Sequence, residues 1–98
     1  MVDYIYLTGS YLNDFKKKTR STMKFTQVLD IEAVSVDQCA QLCIQTEAFS
    51  CNSFAFCDNS TTCRLTPSHP TRGMRVVATD YCDLYTRTYF TGNVQKQI

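Results

Sequence analysis

The sequence has few of the residues and motifs that catalytic sites and nucleic-acid-binding surfaces commonly use. Its 98 residues include three glycines, two prolines, one histidine and no tryptophan. It contains no phosphate-binding glycine loop, no G-x-S-x-G motif and no paired-carboxylate motif, so we expect no enzyme activity and no cofactor. The formal net charge is only +1, and no nucleic-acid readout motif is present, so we expect no nucleic-acid partner.

Long apolar runs are absent as well. No stretch of about 18 apolar residues could span a bilayer, and the opening "MVDYIYLTGS" lacks the basic segment and apolar run of a signal peptide. We interpret Met1 as an added start codon and the chain as one module of a longer protein. We expect a single domain with an N-terminal strand and basic segment (1–24), a core (25–90) and a C-terminal tail (91–98).

Cysteine is the residue that the sequence has in abundance. An even number, six in 98 residues, favours a disulfide framework formed in an oxidising compartment, because a chain of this size buries only a modest core. We therefore expect an extracellular location, with a small cytosolic protein as the alternative. The six are Cys39, Cys43, Cys51, Cys57, Cys63 and Cys82.

Metal binding and thiol catalysis fit this cysteine pattern poorly. Structural zinc sites favour paired C-x₂₋₄-C knuckles or spaced histidines, and only Cys39 and Cys43 approach that spacing, so we expect no metal site. A redox C-x-x-C is missing. A cysteine nucleophile would need a free thiol beside His69, which we place in a solvated, proline-bounded surface loop at residues 66–73.

A helix beginning after Ser35 is the clearest predicted element. Ser35 and Gln38 have the spacing of a capping box, and Asp37 lies in the first turn, where the helix dipole favours negative charge. Two cysteines share the apolar stripe of this helix and should lie one turn apart on its buried face. The stripe consists of Val36, Cys39, Ala40, Cys43 and Ile44.

Extended structure is predicted on both sides of the helix. Tyr4, Tyr6 and Tyr11 alternate with polar residues and give a weak strand signal. Residues 57–61, "CDNST", supply the turn of a hairpin that follows the helix. The main strands are predicted at 25–34, 53–56, 62–66 and 81–90.

A helix with "CAQLC", followed by "CNSFAF", "CRL" and a closing "CDLYTRTYF", resembles the PAN/apple family. The likeness covers residues 25–90 and is closest to the N-terminal domains of hepatocyte growth factor and plasminogen; "DFKKKTRSTMKF" is also similar to the start of the growth-factor domain. The resemblance implies an α+β fold, a small disulfide-linked twisted antiparallel sheet with one helix packed across it. It also implies a non-catalytic module that recognises proteins or carbohydrates.

The resemblance further implies that two bridges tie the helix to the central hairpin, Cys39–Cys63 and Cys43–Cys51. Apple domains usually join their first and last strands with a third bridge, but no cysteine precedes Cys39 in this sequence. Cys57 and Cys82 remain, and we pair them with each other. We expect the N-terminal segment to be less firmly attached as a result.

Three functions are compatible with such a module. The first is protein interaction within a secreted or membrane-anchored protein, with no membrane insertion by the module itself, and another is that of a structural spacer. A third is binding of heparin or heparan sulfate by a basic block. The alternative interpretation of this block is a solvated turn whose charges keep an edge strand from pairing. Arg72 and Arg75 would extend the block if the fold brings them near. The basic block is Lys16, Lys17, Lys18, Arg20 and Lys24.

Asn59 begins the tripeptide N-S-T, an N-glycosylation sequon. It falls at the tip of the predicted hairpin, where a glycan would project into water. A glycan there would keep this end of the hairpin from contacting a protein.

Overall fold

The computed structural model describes residues 11–24 and 28–88. In this part of the chain, one α-helix and seven strands form the fold, together with short 3-10 helices at Leu12–Asp14 and Pro70–Arg72. The elements are β1 (Phe15–Lys18), β2 (Ser21–Lys24), β3 (Leu29–Glu32), α1 (Val36–Gln45), β4 (Ser53–Cys57), β5 (Thr62–Thr66), β6 (Arg75–Ala78) and β7 (Cys82–Arg87).

Two antiparallel sheets organise these elements. The main sheet has five strands in the order β1-β7-β4-β5-β3, so β1 and β3 are its edges. Strands β2 and β6 form a separate two-stranded ribbon. The helix packs across one face of the main sheet, and the ribbon covers the other. The predicted α+β fold class, with one helix across a disulfide-linked antiparallel sheet, is confirmed.

Helix α1 begins where the capping signal predicts. The Ser35 hydroxyl accepts a hydrogen bond from the Gln38 backbone N–H at 3.2 Å. The Gln38 side chain reaches one residue further back than in the usual capping box, because its Oε1 accepts from the Val34 N–H at 2.8 Å. The first bond satisfies a donor that the helix itself leaves unpaired, and the second holds the Val34 backbone against the first turn of the helix.

Replacing Ser35 with alanine should lower the free energy of unfolding by about 1 kcal/mol, because the cap hydrogen bond is lost. A Ser35→Asp variant keeps an acceptor at the same position and should stay within a few tenths of a kcal/mol of the parent protein. Urea unfolding of the three proteins measures the difference. Equal losses in both variants would show that the hydroxyl does not cap the helix.

Aromatic side chains form the centre of the helix-side core. Phe54, which is fully buried, lies between Tyr85 and Phe15. Its ring stacks on Tyr85 at 4.8 Å between centroids and meets Phe15 edge-on at 5.0 Å. This arrangement spans β1, β7 and β4 and therefore ties the first strand to the centre of the sheet.

A smaller core lies between the main sheet and the ribbon. Met23 on β2 and Met74 just before β6 pack with Ala55 and Leu84 from the opposite face of the main sheet. Alternation along β2 leaves Thr22 and Lys24 on the outer face of the ribbon. Two apolar layers of unequal size thus enclose the main sheet.

All six cysteines are oxidised, in the three pairs that we expected. Two bridges connect α1 to the hairpin region, one to β5 and one to the segment just before β4. The third joins the end of β4 to the start of β7 across the antiparallel ladder. The pairs are Cys39–Cys63, Cys43–Cys51 and Cys57–Cys82.

The structure corrects several local predictions. Tyr11 precedes a 3-10 helix rather than occupying a strand. The strand predicted at 25–34 is shorter, because β3 ends at Glu32 and Val34 belongs to the connection before the helix. The predictions for Tyr4, Tyr6, Phe25 and the tail at 91–98 lie outside the described residues.

The basic segment forms two strands where we considered a solvated turn. β1 pairs with β7 at the edge of the main sheet, and β2 belongs to the ribbon. Thr19 and Arg20 connect them, with Arg20 in the left-handed region at φ 52°. The Arg20 N–H donates to Asp83 Oδ1 at 2.8 Å and so holds this turn against β7.

Candidate functional site

The structure divides the basic block between the two faces of the main sheet. Phe15 points into the helix-side core, so alternation along β1 places Lys17 on the same side and Lys16 and Lys18 on the ribbon side. Lys17 forms an ion pair with Asp83 at 3.7 Å. Its charge is therefore partly neutralised, and it does not belong to the same surface as its two neighbours.

The ribbon brings a second cation beside Lys24. Strand pairing places Lys24 directly opposite Arg75, and both residues are exposed. Facing positions on paired strands bring the two side chains close together, so positive charge is concentrated on this part of the ribbon. Lys16, Lys18, Lys24 and Arg75 form what we call the ribbon-side cations. From the sequence, Arg75 is only a possible extension of the basic block. Its place beside Lys24 depends on the pairing of β2 with β6, two segments that are far apart in the chain.

The fold shifts the pKa of Tyr85, which lies in the helix-side core. Burial raises the pKa of the Tyr85 phenol above its ordinary value, and the positive charge of Lys17 opposes that shift. The phenol therefore stays protonated at physiological pH. It serves the aromatic core and adds no negative charge near the cations.

His69 is buried, and the prediction of a solvated histidine is wrong. Only 9% of the residue is exposed. Its Nε2–H donates to the Arg87 carbonyl oxygen at 2.8 Å, and its Nδ1 accepts from the Thr71 N–H at 3.3 Å. Because a carbonyl can only accept and an amide N–H can only donate, both bonds require the neutral imidazole that is protonated at Nε2. Through these bonds the histidine holds the 69–73 loop against β7.

Arg87 is a buried cation that sequence reasoning missed. Its Nε donates to the Cys51 carbonyl oxygen at 3.3 Å. The guanidinium also lies over the Phe15 ring, with 5.4 Å between the guanidinium carbon and the ring centroid. Arg87 and His69 therefore have structural roles at the end of β7.

Two kinds of reactive centre, a metal site and a free thiol, are missing from the part of the chain that the structure describes. No group of three or more histidine, cysteine or carboxylate side chains there could hold a metal ion. Every cysteine is in a disulfide, so no thiol nucleophile exists in the oxidised protein. Within 11–24 and 28–88, no helix has the length and apolar character needed to cross a membrane.

Asn59 lies at the tip of the β4–β5 hairpin and is exposed. It borders a shallow surface pocket of about 250 Å³ on the ribbon side of the main sheet. Arg64, Asp30 and Tyr81 line the same pocket, and Arg64 Nε pairs with Asp30 Oδ1 at 3.2 Å. The Cys57–Cys82 bridge completes the wall.

The connection between β3 and α1 presents apolar surface to solvent. Val34 is 85% exposed, and Leu29 on β3 is 36% exposed. An apolar residue just before a helix cap commonly packs against the fourth helical residue, which here is Cys39. Val34 does not do so, since Cys39 is engaged in a disulfide beneath the helix. Among the described residues, β3 pairs only with β5, so its outer edge adjoins this surface. We call Val34 and the adjoining outer edge of β3 the β3 corner.

Comparison with known protein families gives a match. The family described as PAN domain matches residues 11–89, which include every element of the fold described above. Domains of this family are generally non-catalytic modules that bind proteins or carbohydrates within larger proteins. A search of curated proteins found no similar sequence.

Proposed function

This chain belongs to the PAN domain family, and we propose that it is an extracellular, non-catalytic module that binds a protein partner through the β3 corner. Three disulfides in so small a domain fit an oxidising compartment. We also propose that Asn59 carries an N-linked glycan. The proposed contact surface lies away from the cations on the opposite edge of the sheet.

The exposed Val34 is the observation that carries this proposal. Its backbone is fixed by the hydrogen bond to Gln38, so the side chain is presented in one position without a large ordering cost. Small apolar surfaces beside an unpaired strand edge suit partners that add a strand or cover the corner. Asp30 and Glu32 on β3 would supply charged groups at the rim of such an interface.

The test compares two substitutions that add the same charge. The protein is produced through a secretory pathway, coupled to a sensor and presented with a panel of extracellular protein domains. Saturable binding to a panel member should fall at least tenfold in Val34→Arg and stay within twofold in Gln41→Arg, an exposed position in the middle of α1. Both variants should keep the parent melting temperature, because both positions are exposed. Equal binding by the two variants would place the contact elsewhere, and no binding by the parent would favour the spacer function.

Binding of a sulfated polysaccharide is a second candidate function, and it rests on the ribbon-side cations. The cross-strand pair Lys24 and Arg75 concentrates positive charge on the ribbon, and Lys16 and Lys18 project from the same side of the sheet. Regularly spaced sulfates could neutralise all four. Lys17 is left out of this set because it faces the helix side and pairs with Asp83.

Heparin affinity chromatography with matched charge removal tests this candidate. By analogy with other polyanions, four cationic contacts should reduce affinity about a hundredfold between 50 and 200 mM salt. Lys24→Gln/Arg75→Gln should elute at clearly lower salt than the parent protein. Lys17→Gln/Arg64→Gln removes the same charge from positions outside the ribbon-side cations and should elute close to the parent. Identical elution of the two variants would show that retention depends only on net charge, and it would contradict this candidate function.

A further inference from the structure

The three disulfides differ in their access to solvent. Cys39 and Cys63 have no exposed surface, and Cys43 and Cys51 are at most 2% exposed, because α1 covers both bridges. Cys57 and Cys82 lie on the other face of the sheet, in the wall of the surface pocket. Cys82 is partly exposed there. A thiolate can approach a disulfide only along an open path, so access alone separates this bridge from the other two.

We propose that the Cys57–Cys82 bridge is a site of thiol–disulfide exchange, in which an extracellular thiol reduces this bond while the two bridges under the helix persist. The pocket of about 250 Å³ has room for a small thiol beside the bond. This site is independent of the partner that the β3 corner or the ribbon-side cations bind.

The reaction needs a dithiol and nothing further. One thiolate of the dithiol attacks Cys82 Sγ and forms a mixed disulfide, while the bond to Cys57 breaks and Cys57 leaves as a thiolate. The second thiol of the reagent, as its thiolate, then attacks the reagent's own sulfur in the mixed disulfide and releases Cys82. The dithiol loses two electrons and two protons, and the bridge gains both.

The surroundings of the bridge favour survival of the fold after reduction. Strands β4 and β7 pair from Ser53–Thr86 to the last pair, Cys57–Cys82, so a ladder of backbone hydrogen bonds joins them in addition to the bridge. The Asp58 N–H also donates to the Tyr81 carbonyl oxygen at 3.0 Å and holds the two turns together. Reduction should therefore loosen the turns around the pocket while α1 stays attached to the sheet through its own bridges.

Two charged residues of the pocket, Arg64 and Asp30, provide a test, because removing one or the other should change the exchange rate in opposite directions. Arg64 favours an approaching or departing thiolate, and Asp30, its ion-pair partner, disfavours it. Arg64→Gln leaves the carboxylate alone and should slow exchange roughly two- to fivefold, whereas Asp30→Asn leaves the guanidinium alone and should speed it by a similar factor.

The experiment exposes the intact oxidised protein to dithiothreitol, quenches with an alkylating reagent and maps the labelled cysteines over time. Cys57 and Cys82 should be labelled at least tenfold faster than the other four, with an unchanged far-ultraviolet circular dichroism spectrum. A parallel arm uses thioredoxin, a protein dithiol. Selective reduction in both arms shows that the pocket admits a protein. Selective reduction by dithiothreitol alone, which a glycan on Asn59 at the pocket rim would favour, restricts the site to small thiols. Labelling of all six cysteines at one rate, or faster labelling of a buried pair, would overturn the proposal.

A variant without the bridge completes the test. Cys57→Ala/Cys82→Ala should release no thiols in the period over which the parent bridge is reduced, and it should still unfold cooperatively. Equal rates in Arg64→Gln and Asp30→Asn would contradict the role given to the pocket charges. Rapid release of thiols from the bridge-free variant would mean that the helix-side bonds are accessible and would also overturn the proposal.

Discussion

Replacing Phe54 with alanine is expected to lower the free energy of unfolding by about 3–5 kcal/mol. The side chain is fully buried, and its ring contacts Tyr85 at 4.8 Å and Phe15 at 5.0 Å between centroids. Alanine would remove both contacts and leave a cavity that three strands cannot close by small shifts. Because a domain of this kind has roughly 5–15 kcal/mol of stability in total, the loss should be visible as a large shift in the denaturation midpoint.

Tyr81→Ala is the control for this prediction. It also deletes an aromatic ring, but Tyr81 is 58% exposed, so its loss should cost within about 0.5 kcal/mol. Chemical denaturation of both variants, followed by circular dichroism, gives the two values. Similar losses in the two variants would contradict the central position assigned to Phe54.

Removal of the Cys39–Cys63 bridge should have the second large effect. The two cysteines are 24 residues apart, for which the loop-entropy estimate gives about 3.5 kcal/mol. Changing both to alanine also removes two fully buried sulfur atoms from beneath α1, which should add about 1–2 kcal/mol for imperfect packing. We therefore expect Cys39→Ala/Cys63→Ala to lose about 5 kcal/mol.

The Cys57–Cys82 bridge provides a matched comparison because its separation of 25 residues gives nearly the same loop entropy. Its sulfurs lie at the pocket wall, so Cys57→Ala/Cys82→Ala should show the entropic loss without most of the packing loss. Peptide mapping under non-reducing conditions should first verify all three pairs in the parent protein. A smaller loss for the helix-side variant than for the pocket variant would contradict the packing argument.

Local signals account for what the sequence predicted well. The Ser35 cap and the apolar stripe of α1 act within a few residues, and the β4–β5 hairpin joins neighbouring segments through a turn-rich loop. Strand β1 lacks such a signal, because three consecutive lysines have low strand propensity. Its strand character depends on pairing with β7, which places Lys16 opposite Thr86.

The difference between local signals and long-range pairing also explains which parts of the candidate sites could be predicted from the sequence. The sequence shows the run of cations, but alternation on a paired strand decides that Lys17 faces away from Lys16 and Lys18. The position of Arg75 beside Lys24 depends on ribbon register. His69 was misplaced because its partner, the Arg87 carbonyl, lies 18 residues away and belongs to a different element. Composition around a lone histidine carries no information about such a contact.

The three bridges close loops of unequal length, and this difference bears on oxidative maturation. Cys43 and Cys51 are 8 residues apart, whereas Cys39 and Cys63 are separated by 24 and Cys57 and Cys82 by 25. Among the three native bonds, Cys43–Cys51 closes the shortest loop and costs the least chain entropy, so it should form before the other two native bonds when the reduced chain is oxidised. That bond consumes the thiol next to Cys39 on the helix and leaves three possible pairings of the remaining four cysteines instead of fifteen for all six. Formation of the shortest native loop therefore reduces the number of wrong pairings that compete with the two long-range bridges.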